Sequence, residues 1–337
     1  MKIVISSHAY APSVGGIESV TEMLAREWIR LGHEVKIITR TLDAEGHGDT
    51  ISVIRNPTPL ELFRNASWCD IYFQNNVSIG TLWVGLLCGK PVVITHQTWI
   101  SQGIVGMVKR LFIRMARTRV AISRAVGAKL QTDQVIPNPY RDEVFKSEGG
   151  EKRDREILFV GRLVPDKGCD LLLDALCILA EQKIHPLLSI VGSGSEEALL
   201  RKRVQELGLE SQVLFLGGRL GNDLASEYRR HRILVIPSRW EEPFGIVALE
   251  GIACGCRIIA ADSGGLPEAV GPCGMLFRSG DPGSLAKALQ MEFHRDDRWG
   301  DDARMHLQCH RPGVVALEYL SLFDRLLKSH PKLEPIQ

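Results

Sequence analysis

Apolar residues along the chain fall into short runs, and the stretches between most of them have helical periodicity. Runs in the first part of the chain predict strands at Ile3–Ile5, Val35–Ile38, Ile71–Phe73, Val92–Ile94 and Val120–Ile122. A second series comprises Ile157–Val160, Leu188–Val191, Val213–Leu216, Ile233–Ile236, Ile258–Ala260 and Met275–Phe277. Short apolar strands that alternate with amphipathic helices are typical of parallel, doubly wound sheets.

The alternation lapses once, in a stretch rich in proline, glycine and charge between Asn138 and Asp154. This lapse predicts a boundary between a first Rossmann-like domain, residues 1–140, and a second domain, residues 141–311. A last helix over residues 312–329 carries an apolar face that suits packing on either domain. The predicted fold class is therefore α/β, with two doubly wound parallel sheets.

Composition narrows the class of protein. The 337 residues are 45% hydrophobic, which is enough for two cores, and the net charge of +1 gives no reason to expect a nucleic-acid partner. No apolar run reaches the ~18 residues of a membrane span, and the chain enters its first strand without a signal peptide, so a cytoplasmic location is expected. The eight cysteines include no Cys-x-x-Cys pair, which favours free thiols over a zinc site.

Polar residues and glycines follow several predicted strands of the first domain. Ligands bind outside the carboxyl ends of strands in open parallel sheets, and these ends carry Gly15, Gly16, His96, Ser123 and Asn138. The two glycines permit close approach of a ligand, but glycine also serves ordinary turns. His96 has two interpretations. One is a buried or capping histidine, and the other is a functional residue, which its place at a strand end before the polar Gln97 favours.

Two cations follow the first strand of the second domain. Arg162 comes directly after Gly161, and Lys167 lies five residues further on. Such a pair can neutralise a diphosphate, with arginine as a planar fork and lysine as a point charge. The alternative is that each is an ordinary exposed cation. Gly192 ends the next strand of this domain.

The segment from Glu242 to Glu250 places two carboxylates around a turn and an apolar helix start. Pro243 suits the first helical position, where no amide hydrogen is needed. At ~1.5 Å rise per residue the carboxylates lie roughly 12 Å apart, whereas the paired carboxylates of glycosidases lie about 5 to 9.5 Å apart. The spacing favours binding of a long, hydroxyl-rich ligand, with the amides of Phe244 and Gly245 available to anionic oxygens. The alternative is a solvated turn followed by one glutamate on a helix face.

The sequences of these loops argue against two classes of enzyme. Gly15 and Gly16 are not part of a Gly-x-Gly-x-x-Gly sequence, and the second strand ends at Arg40 and Thr41, where a dinucleotide fingerprint expects an acid. A nicotinamide dehydrogenase is therefore disfavoured. The chain also has no Gly-x-Ser-x-Gly elbow, so His96 lacks a matching nucleophile.

Together these features resemble the retaining glycosyltransferases of family four, glycosyl transferases group 1, which have the two-domain GT-B fold. The residues before Gly15, Tyr10 among them, are also typical of that family, whereas the first domain is short. The resemblance implies two facing domains with a cleft and a last helix that crosses back onto the first domain. The matching elements, spread over nearly the whole chain, are Gly15-Gly16, Gly161-Arg162, Lys167-Gly168, Glu242-Pro-Phe-Gly245, Glu250 and Gly264-Gly-Leu-Pro-Glu268.

The resemblance also implies residue roles. Arg162 and Lys167 would hold the donor diphosphate, Glu242 the transferred sugar and Glu250 the ribose. The implied donor-binding residues are Gly15, Gly16, Gly161, Arg162, Lys167, Gly192, Glu242, Pro243, Phe244, Gly245, Ile246, Val247 and Glu250. The implied catalytic residues are His96, Arg162, Lys167 and Glu242. The acceptor-side candidates are Tyr10, His96, Gln97, Ser123 and Asn138.

The reaction that the resemblance implies is retaining transfer of a hexose from a UDP- or GDP-sugar to a glycan or lipid-linked acceptor. Cell-surface polysaccharide or lipopolysaccharide synthesis is the expected setting. No metal or other cofactor is expected, because the chain lacks an Asp-x-Asp motif and cations take the metal's place. Two rivals stay open, a nucleotide-sugar-binding protein without transfer activity and an NAD(P)-dependent enzyme.

Residues 107–119 predict a basic amphipathic helix. Val108, Leu111 and Phe112 are interleaved with Lys109, Arg110 and Arg114. One interpretation is a peripheral contact with an anionic membrane, at the inner face of the plasma membrane. The other is a core-packed helix whose basic face is solvated.

Overall fold

The computed structural model describes residues 1–13, 15–43, 50–150, 152–295 and 300–329. The chain divides into two compact units: unit 1 is Met1–Pro139 with the segment from Arg311 onward, and unit 2 is Tyr140–His310. Each unit is built around its own parallel sheet. The predicted fold class, two Rossmann-like doubly wound parallel sheets, is confirmed. No helix in the described ranges combines the length and apolarity needed to cross a membrane.

Unit 1 has a seven-stranded sheet in the order β3-β2-β1-β4-β5-β6-β7, with parallel pairing throughout. The five strands predicted for this unit are present. Of the two further strands, β3 was missed because it has no fully buried residue, and β7, which has only two residues, precedes the expected strand end at Asn138. The strands are β1 (Lys2–Ser7), β2 (Glu34–Thr39), β3 (Ser52–Arg55), β4 (Ile71–Asn75), β5 (Val92–His96), β6 (Thr118–Ala121) and β7 (Gln134–Val135).

The helices of unit 1 lie between these strands, and the last helix of the chain joins them. They are α1 (Gly16–Arg30), α2 (Pro59–Trp68), α3 (Ile79–Leu87), α4 (Ile104–Ile113), α5 (Arg124–Leu130) and α13 (Pro312–Lys328). The helix predicted over residues 107–119 is wrong in its extent, since α4 ends at Ile113. It ends there because the Arg117 amide donates to the Val92 carbonyl and Thr118 enters β6.

The C-terminal helix α13 is part of the core of unit 1. The indole of Trp28 on α1 donates to the Ala316 carbonyl at 3.2 Å, and the Tyr319 hydroxyl lies 3.2 Å from the Thr95 hydroxyl of β5. Aromatic rings fill the space between these hydrogen bonds, with edge-to-face centroid distances of 5.1 Å for Phe73–Tyr319 and 5.3 Å for Trp28–Phe73. Removal of α13 would expose this aromatic cluster.

Unit 2 has a six-stranded parallel sheet in the order β10-β9-β8-β11-β12-β13. All six strands predicted for it are present. The strands are β8 (Arg155–Val160), β9 (Leu188–Val191), β10 (Val213–Gly217), β11 (His231–Ile236), β12 (Arg257–Ala261) and β13 (Gly274–Phe277). The helices are α6 (Cys169–Glu181), α7 (Glu197–Glu206), α8 (Gly221–Arg230), α9 (Ile246–Ala253), α10 (Leu266–Val270), α11 (Pro282–Phe293) and α12 (Asp301–Cys309), and a 3-10 turn spans Pro165–Lys167.

Candidate functional site

The sheet of unit 2 changes its direction of winding between β8 and β11. From β8 the chain moves outward to β9 and β10, and then returns to β11 on the other side of β8. At such a switch point the loops after the two central strands diverge and leave a crevice at the carboxyl ends, where α/β proteins bind ligands. The loop after β8 carries Arg162 and Lys167, and the loop after β11 carries Glu242.

The two loops are fixed to each other by backbone hydrogen bonds. The Asp166 carbonyl accepts from the amides of Arg239 and Trp240 at 2.9 and 3.2 Å. Gly168 ends the first loop with φ of +65°, and a Cβ there would lie 2.1 Å from the Pro237 carbonyl oxygen. Only glycine allows this approach, so the Lys-Gly sequence sets the distance between the loops.

A three-residue polar cluster lies where the loops meet. The Lys167 ammonium is 2.5 Å from Oε1 of Glu242, and the Ser238 hydroxyl donates to the same oxygen at 2.8 Å. Both charged side chains are largely buried, with 23% and 11% of their surface exposed. The Lys167 ammonium also lies 6.0 Å from the ring centre of Trp240. The structure therefore brings together Lys167 and Glu242, which are distant in sequence, and adds Ser238.

The turn from Glu242 to Gly245 packs against the Gly264-Gly-Leu-Pro-Glu268 segment, which follows β12. The Gly265 amide donates to the Glu242 carbonyl at 2.7 Å. Gly264 has φ of +59°, and a Cβ on it would lie 2.3 Å from that same carbonyl oxygen. The second glycine pair thus supports the position of Glu242 rather than forming a separate site.

Helix α9 begins at Ile246, not at Pro243, so the predicted helix start is wrong by three residues. Gly245 has φ of +114°, outside the right-handed helical region, and this forces the helix to start after it. Pro243 and Phe244 are buried in the turn. The first amides of α9, those of Ile246 and Val247, form its N-terminus, an end that attracts anions.

Glu250 lies on α9 and its carboxyl group is enclosed by protein. Burial raises its pKa to about 7, opposed in part by a hydrogen bond from Tyr228 and by the charge of Arg141. The Tyr228 hydroxyl donates to Oε2 of Glu250 at 3.1 Å, and Tyr228 is itself completely buried. An acid kept in such surroundings at a cost in stability is typical of a functional site.

The other residues predicted for this region take different positions. Arg162 is exposed and forms no ion pair within the part of the chain that the structure describes, so its fork is available to an anion. Gly161 and Gly192 end neighbouring strands, and a Cβ on Gly192 would lie 1.8 Å from the Gly161 carbonyl oxygen. Arg239 is occupied by an ion pair with Asp170.

In unit 1, His96 ends β5 as a buried residue with 1% of its surface exposed. Neither ring nitrogen has a hydrogen-bond partner among the described residues. Burial, and secondarily the charge of Arg119, lowers its pKa to about 4, so the imidazole is neutral near pH 7. A buried imidazole without a partner carries a cost of about 1–3 kcal/mol, which a ligand hydroxyl would relieve.

The remaining acceptor-side candidates have structural partners. The amides of Gln97 and Asn138 pair with each other at 2.8 and 3.1 Å. Ser123 caps α5 by accepting from the Val126 amide at 3.1 Å. Tyr10 is buried, with the Arg55 guanidinium 5.9 Å from its ring centre. The structure thus gives these four residues supporting roles that sequence reasoning did not anticipate.

The glycines after β1 are placed at the start of α1. Gly15 precedes the helix with φ of −176°, an extended conformation that any residue adopts, and Gly16 is the first helical residue. A Cβ on Gly15 would meet only the end of the Glu18 side chain, at 2.5 Å. The backbone conformation therefore does not require glycine at position 15. Because glycine has no side chain, the start of α1 is open to a ligand. Val14, the residue before Gly15, lies outside the described residues.

Ser238 and Tyr228 are the two site residues that sequence reasoning missed. Ser238 could have been found, because it follows β11 at the carboxyl edge of the sheet. Nothing in the sequence marks Tyr228, which lies on α8 and reaches Glu250 through tertiary packing. Among the described residues no group of three or more His, Cys, Asp or Glu side chains is arranged to hold a metal ion.

Comparison with known proteins finds a match to a family over most of unit 2. Residues 140–303 match the family described as Glycosyl transferases group 1. The D-inositol 3-phosphate glycosyltransferase of Corynebacterium glutamicum (strain R) is 34% identical over 179 residues, which cover 50% of this chain and 43% of that relative. The protein of the same name from Corynebacterium jeikeium (strain K411) is 38% identical over 146 residues, covering 41% and 35%. The matched segments thus span less than half the length of these curated relatives.

A solved structure shares the fold over both units. Anabaena Alr3699/HepE, crystallised in complex with UDP and glucose, aligns with a TM-score of 0.78 and 22% identity, covering 96% of this chain and all of that one. At this identity the likeness concerns the fold. The chain has the GT-B fold, and its residues 140–303 match the family described as Glycosyl transferases group 1.

Proposed function

We propose that the protein is a retaining glycosyltransferase of family four that moves a hexose from a UDP- or GDP-sugar to a glycan or lipid-linked acceptor. The observation that carries the proposal is the Lys167–Glu242–Ser238 cluster at the switch point of unit 2. A cation, a carboxylate and a helix start converge there with Glu250 further along α9. This arrangement suits a ligand that has a diphosphate between a sugar and a ribose.

The proposed donor position follows the distribution of charge. The diphosphate lies between Lys167, the exposed fork of Arg162 and the first amides of α9, which together offset its negative charge. Glu242 accepts hydrogen bonds from hydroxyls of the transferred sugar, and Glu250 accepts from the ribose. Before the donor binds, the ion pair between Lys167 and Glu242 keeps both side chains oriented. When the donor is bound, Lys167 exchanges part of its contact with Glu242 for a contact with the phosphate.

The chemical step needs no protein nucleophile in this proposal. As the bond between the anomeric carbon and the phosphate oxygen breaks, negative charge develops on the diphosphate, and Lys167 and Arg162 stabilise it more strongly than in the ground state. The leaving phosphate accepts the proton of the acceptor hydroxyl, which attacks from the same face and so retains the configuration. The two cations supply the neutralisation that a metal supplies elsewhere, so transfer is expected without a metal.

For His96 we propose a contact with a substrate hydroxyl. Its buried, neutral imidazole has no partner among the described residues, and it can donate from one nitrogen and accept at the other. A hydroxyl at this position would satisfy a group that is otherwise costly to bury.

Two of the compared proteins bear on the choice of donor and acceptor. UDP has the support of the Anabaena neighbour, which was crystallised with UDP and glucose. The name of the Corynebacterium relatives gives D-inositol 3-phosphate, so a phosphorylated polyol belongs among the acceptors to be tested. Synthesis of a cell-surface polysaccharide or lipopolysaccharide is the setting that we propose for a glycan or lipid-linked acceptor.

The experiment is a donor screen with the purified protein. Release of UDP or GDP is measured for a panel of UDP- and GDP-hexoses, with and without candidate acceptors and in the presence of a metal chelator. We expect turnover of one donor class, and Lys167→Ala should lower it by about 10²–10³-fold because a transition-state charge is lost. Lys202→Ala on α7, an exposed lysine paired with Glu206, is the matched control and should leave the rate unchanged. Full activity of Lys167→Ala would refute the assignment of the phosphate site.

A further inference from the structure

Helix α4 of unit 1 presents its apolar side chains to solvent. Ile104, Met107 and Leu111 are 78%, 61% and 62% exposed, and Met115, just after the helix, is 61% exposed. These four residues recur at intervals of three and four, so they form one stripe along the helix and its continuation. Contiguous apolar surface of this kind is rare on a soluble protein and marks a contact site.

The stripe lies opposite the face that holds α4 in place. Gly106 and Ile113 are buried, and at 3.6 residues per turn they point away from Met107, Leu111 and Ile104. Ile113 belongs to the core cluster of unit 1, and a Cβ on Gly106 would lie 1.7 Å from the Ser101 carbonyl oxygen. The helix packs on the core through Ile113, and its basic residues Arg110 and Arg114 are solvated, as one interpretation of this segment expected. Its solvated face also carries the apolar stripe, which that interpretation did not include.

The surroundings of the stripe are basic. Between Asp70 and Asp133 the chain contains no aspartate or glutamate and eight lysines and arginines. Arg110 and Arg114 are exposed beside the stripe, and neither forms an ion pair within the described ranges. Other cations of this run are engaged: Arg119 pairs with Asp133. The surface around α4 thus combines apolar side chains with two arginines, Arg110 and Arg114, that form no ion pair with a described residue.

We propose that this α4 surface, formed by Ile104, Met107, Leu111, Met115, Arg110 and Arg114, docks on an anionic lipid bilayer. The apolar stripe enters the boundary between headgroups and acyl chains, and the two arginines remain at the level of the anionic headgroups. A bilayer fits better than a protein partner because it accepts a flat, linear apolar stripe flanked by cations without requiring any pocket. Docking here deepens the proposed function, since it favours an acceptor embedded in the lipid, but vesicle binding itself does not rest on glycosyl transfer.

The test is co-sedimentation of the full chain with vesicles of phosphatidylcholine containing about one third phosphatidylglycerol, at about 0.1 M salt. We expect binding to these vesicles, little binding to pure phosphatidylcholine, and release at high salt. Met107→Ser/Leu111→Ser should weaken binding at least tenfold. Arg110→Gln/Arg114→Gln should weaken it by about 25-fold, since each basic residue near the surface contributes about fivefold. The matched control is Leu199→Ser on α7 of unit 2, 59% exposed, which should bind as the wild type does.

Two further measurements test whether the variants are folded and whether they bind the donor. Circular dichroism and UDP-induced thermal stabilisation show whether the variants are folded and retain the donor site, so a failure of vesicle binding is distinguishable from a failure of the proposed function. Equal binding of the wild type and the Met107→Ser/Leu111→Ser variant would overturn the proposal. So would a wild type that ignores anionic vesicles but self-associates through this surface in sedimentation velocity.

Discussion

Replacement of Glu250 by glutamine tests the electrostatic environment of the acid on α9. The carboxyl group on α9 is enclosed by protein, accepts a hydrogen bond from Tyr228 at 3.1 Å, and has a pKa raised by burial from 4.5 to about 7. Glutamine keeps the shape and can still accept from Tyr228, but it carries no charge. The substitution therefore isolates the cost of ionising this group inside unit 2.

The magnitude follows from the shift in pKa. The folded state binds the proton of Glu250 more tightly than the unfolded state, so this group contributes stability at low pH that is lost as the pH rises from 4.5 to about 7. A shift of this size corresponds to about 3 kcal/mol in total, of which roughly 2.5 kcal/mol falls between pH 5 and pH 8. The Glu250→Gln variant should thus gain about 2.5 kcal/mol relative to the wild type over that range.

The assay is urea-induced unfolding at several pH values, followed by pulsed hydrogen exchange read on peptides of β11 and α9 so that unit 2 is observed alone. Histidines with lowered pKa, such as His231, titrate in both proteins and cancel in the difference. The control is Glu210→Gln, the same carboxylate-to-amide change at an exposed acid of the same unit. A Glu250→Gln curve parallel to that of the wild type from pH 5 to 8 would show that burial does not raise the pKa of Glu250.

Two further predictions concern the loops that form the site. Gly168→Ala should destabilise unit 2 by more than Gly208→Ala in thermal unfolding. Both residues have φ of +65°, but only at Gly168 would the new Cβ meet a backbone atom, 2.1 Å away, so equal losses would contradict the claim that this glycine sets the spacing of the loops. Ser238→Ala should lower kcat/KM for the donor by about tenfold, the cost of one hydrogen bond to a charged group, whereas Ser238→Thr should recover part of it in the same steady-state assay. An unchanged kcat/KM in Ser238→Ala would remove Ser238 from the site.

The alternation of strands and helices could be predicted because it depends on local periodicity. Every predicted strand is present, and the further strands β3 and β7 have little or no buried apolar pattern of their own. The places of Arg162, Lys167 and Glu242 at the carboxyl edge followed from the rule for parallel sheets. The order of the strands, which puts β8 beside β11, is a tertiary feature, and the contact between Lys167 and Glu242 depends on it.

The errors have equally specific causes. The helix start at Pro243 was wrong because the positive φ of Gly245 is set by its neighbours after β12, about 20 residues away in sequence. The extent of α4 was wrong because pairing of the Thr118 segment with β5 overrides its helical pattern. Its orientation was open, since amphipathicity does not tell which face a helix turns to the core. Tyr228 could not be predicted as a site residue, because the sequence does not distinguish it from an ordinary core residue on a helix.

The most direct test of the account is a calorimetric titration of UDP and of GDP into the wild type, Lys167→Ala and Lys202→Ala, with NAD as the unrelated nucleotide. We predict binding of one nucleoside diphosphate and no binding of NAD. The affinity should be at least about tenfold weaker for Lys167→Ala and unchanged for Lys202→Ala. Equal affinity of all three proteins for the diphosphate, or binding of NAD alone, would contradict the assignment of the switch point in unit 2 as a nucleotide-sugar site.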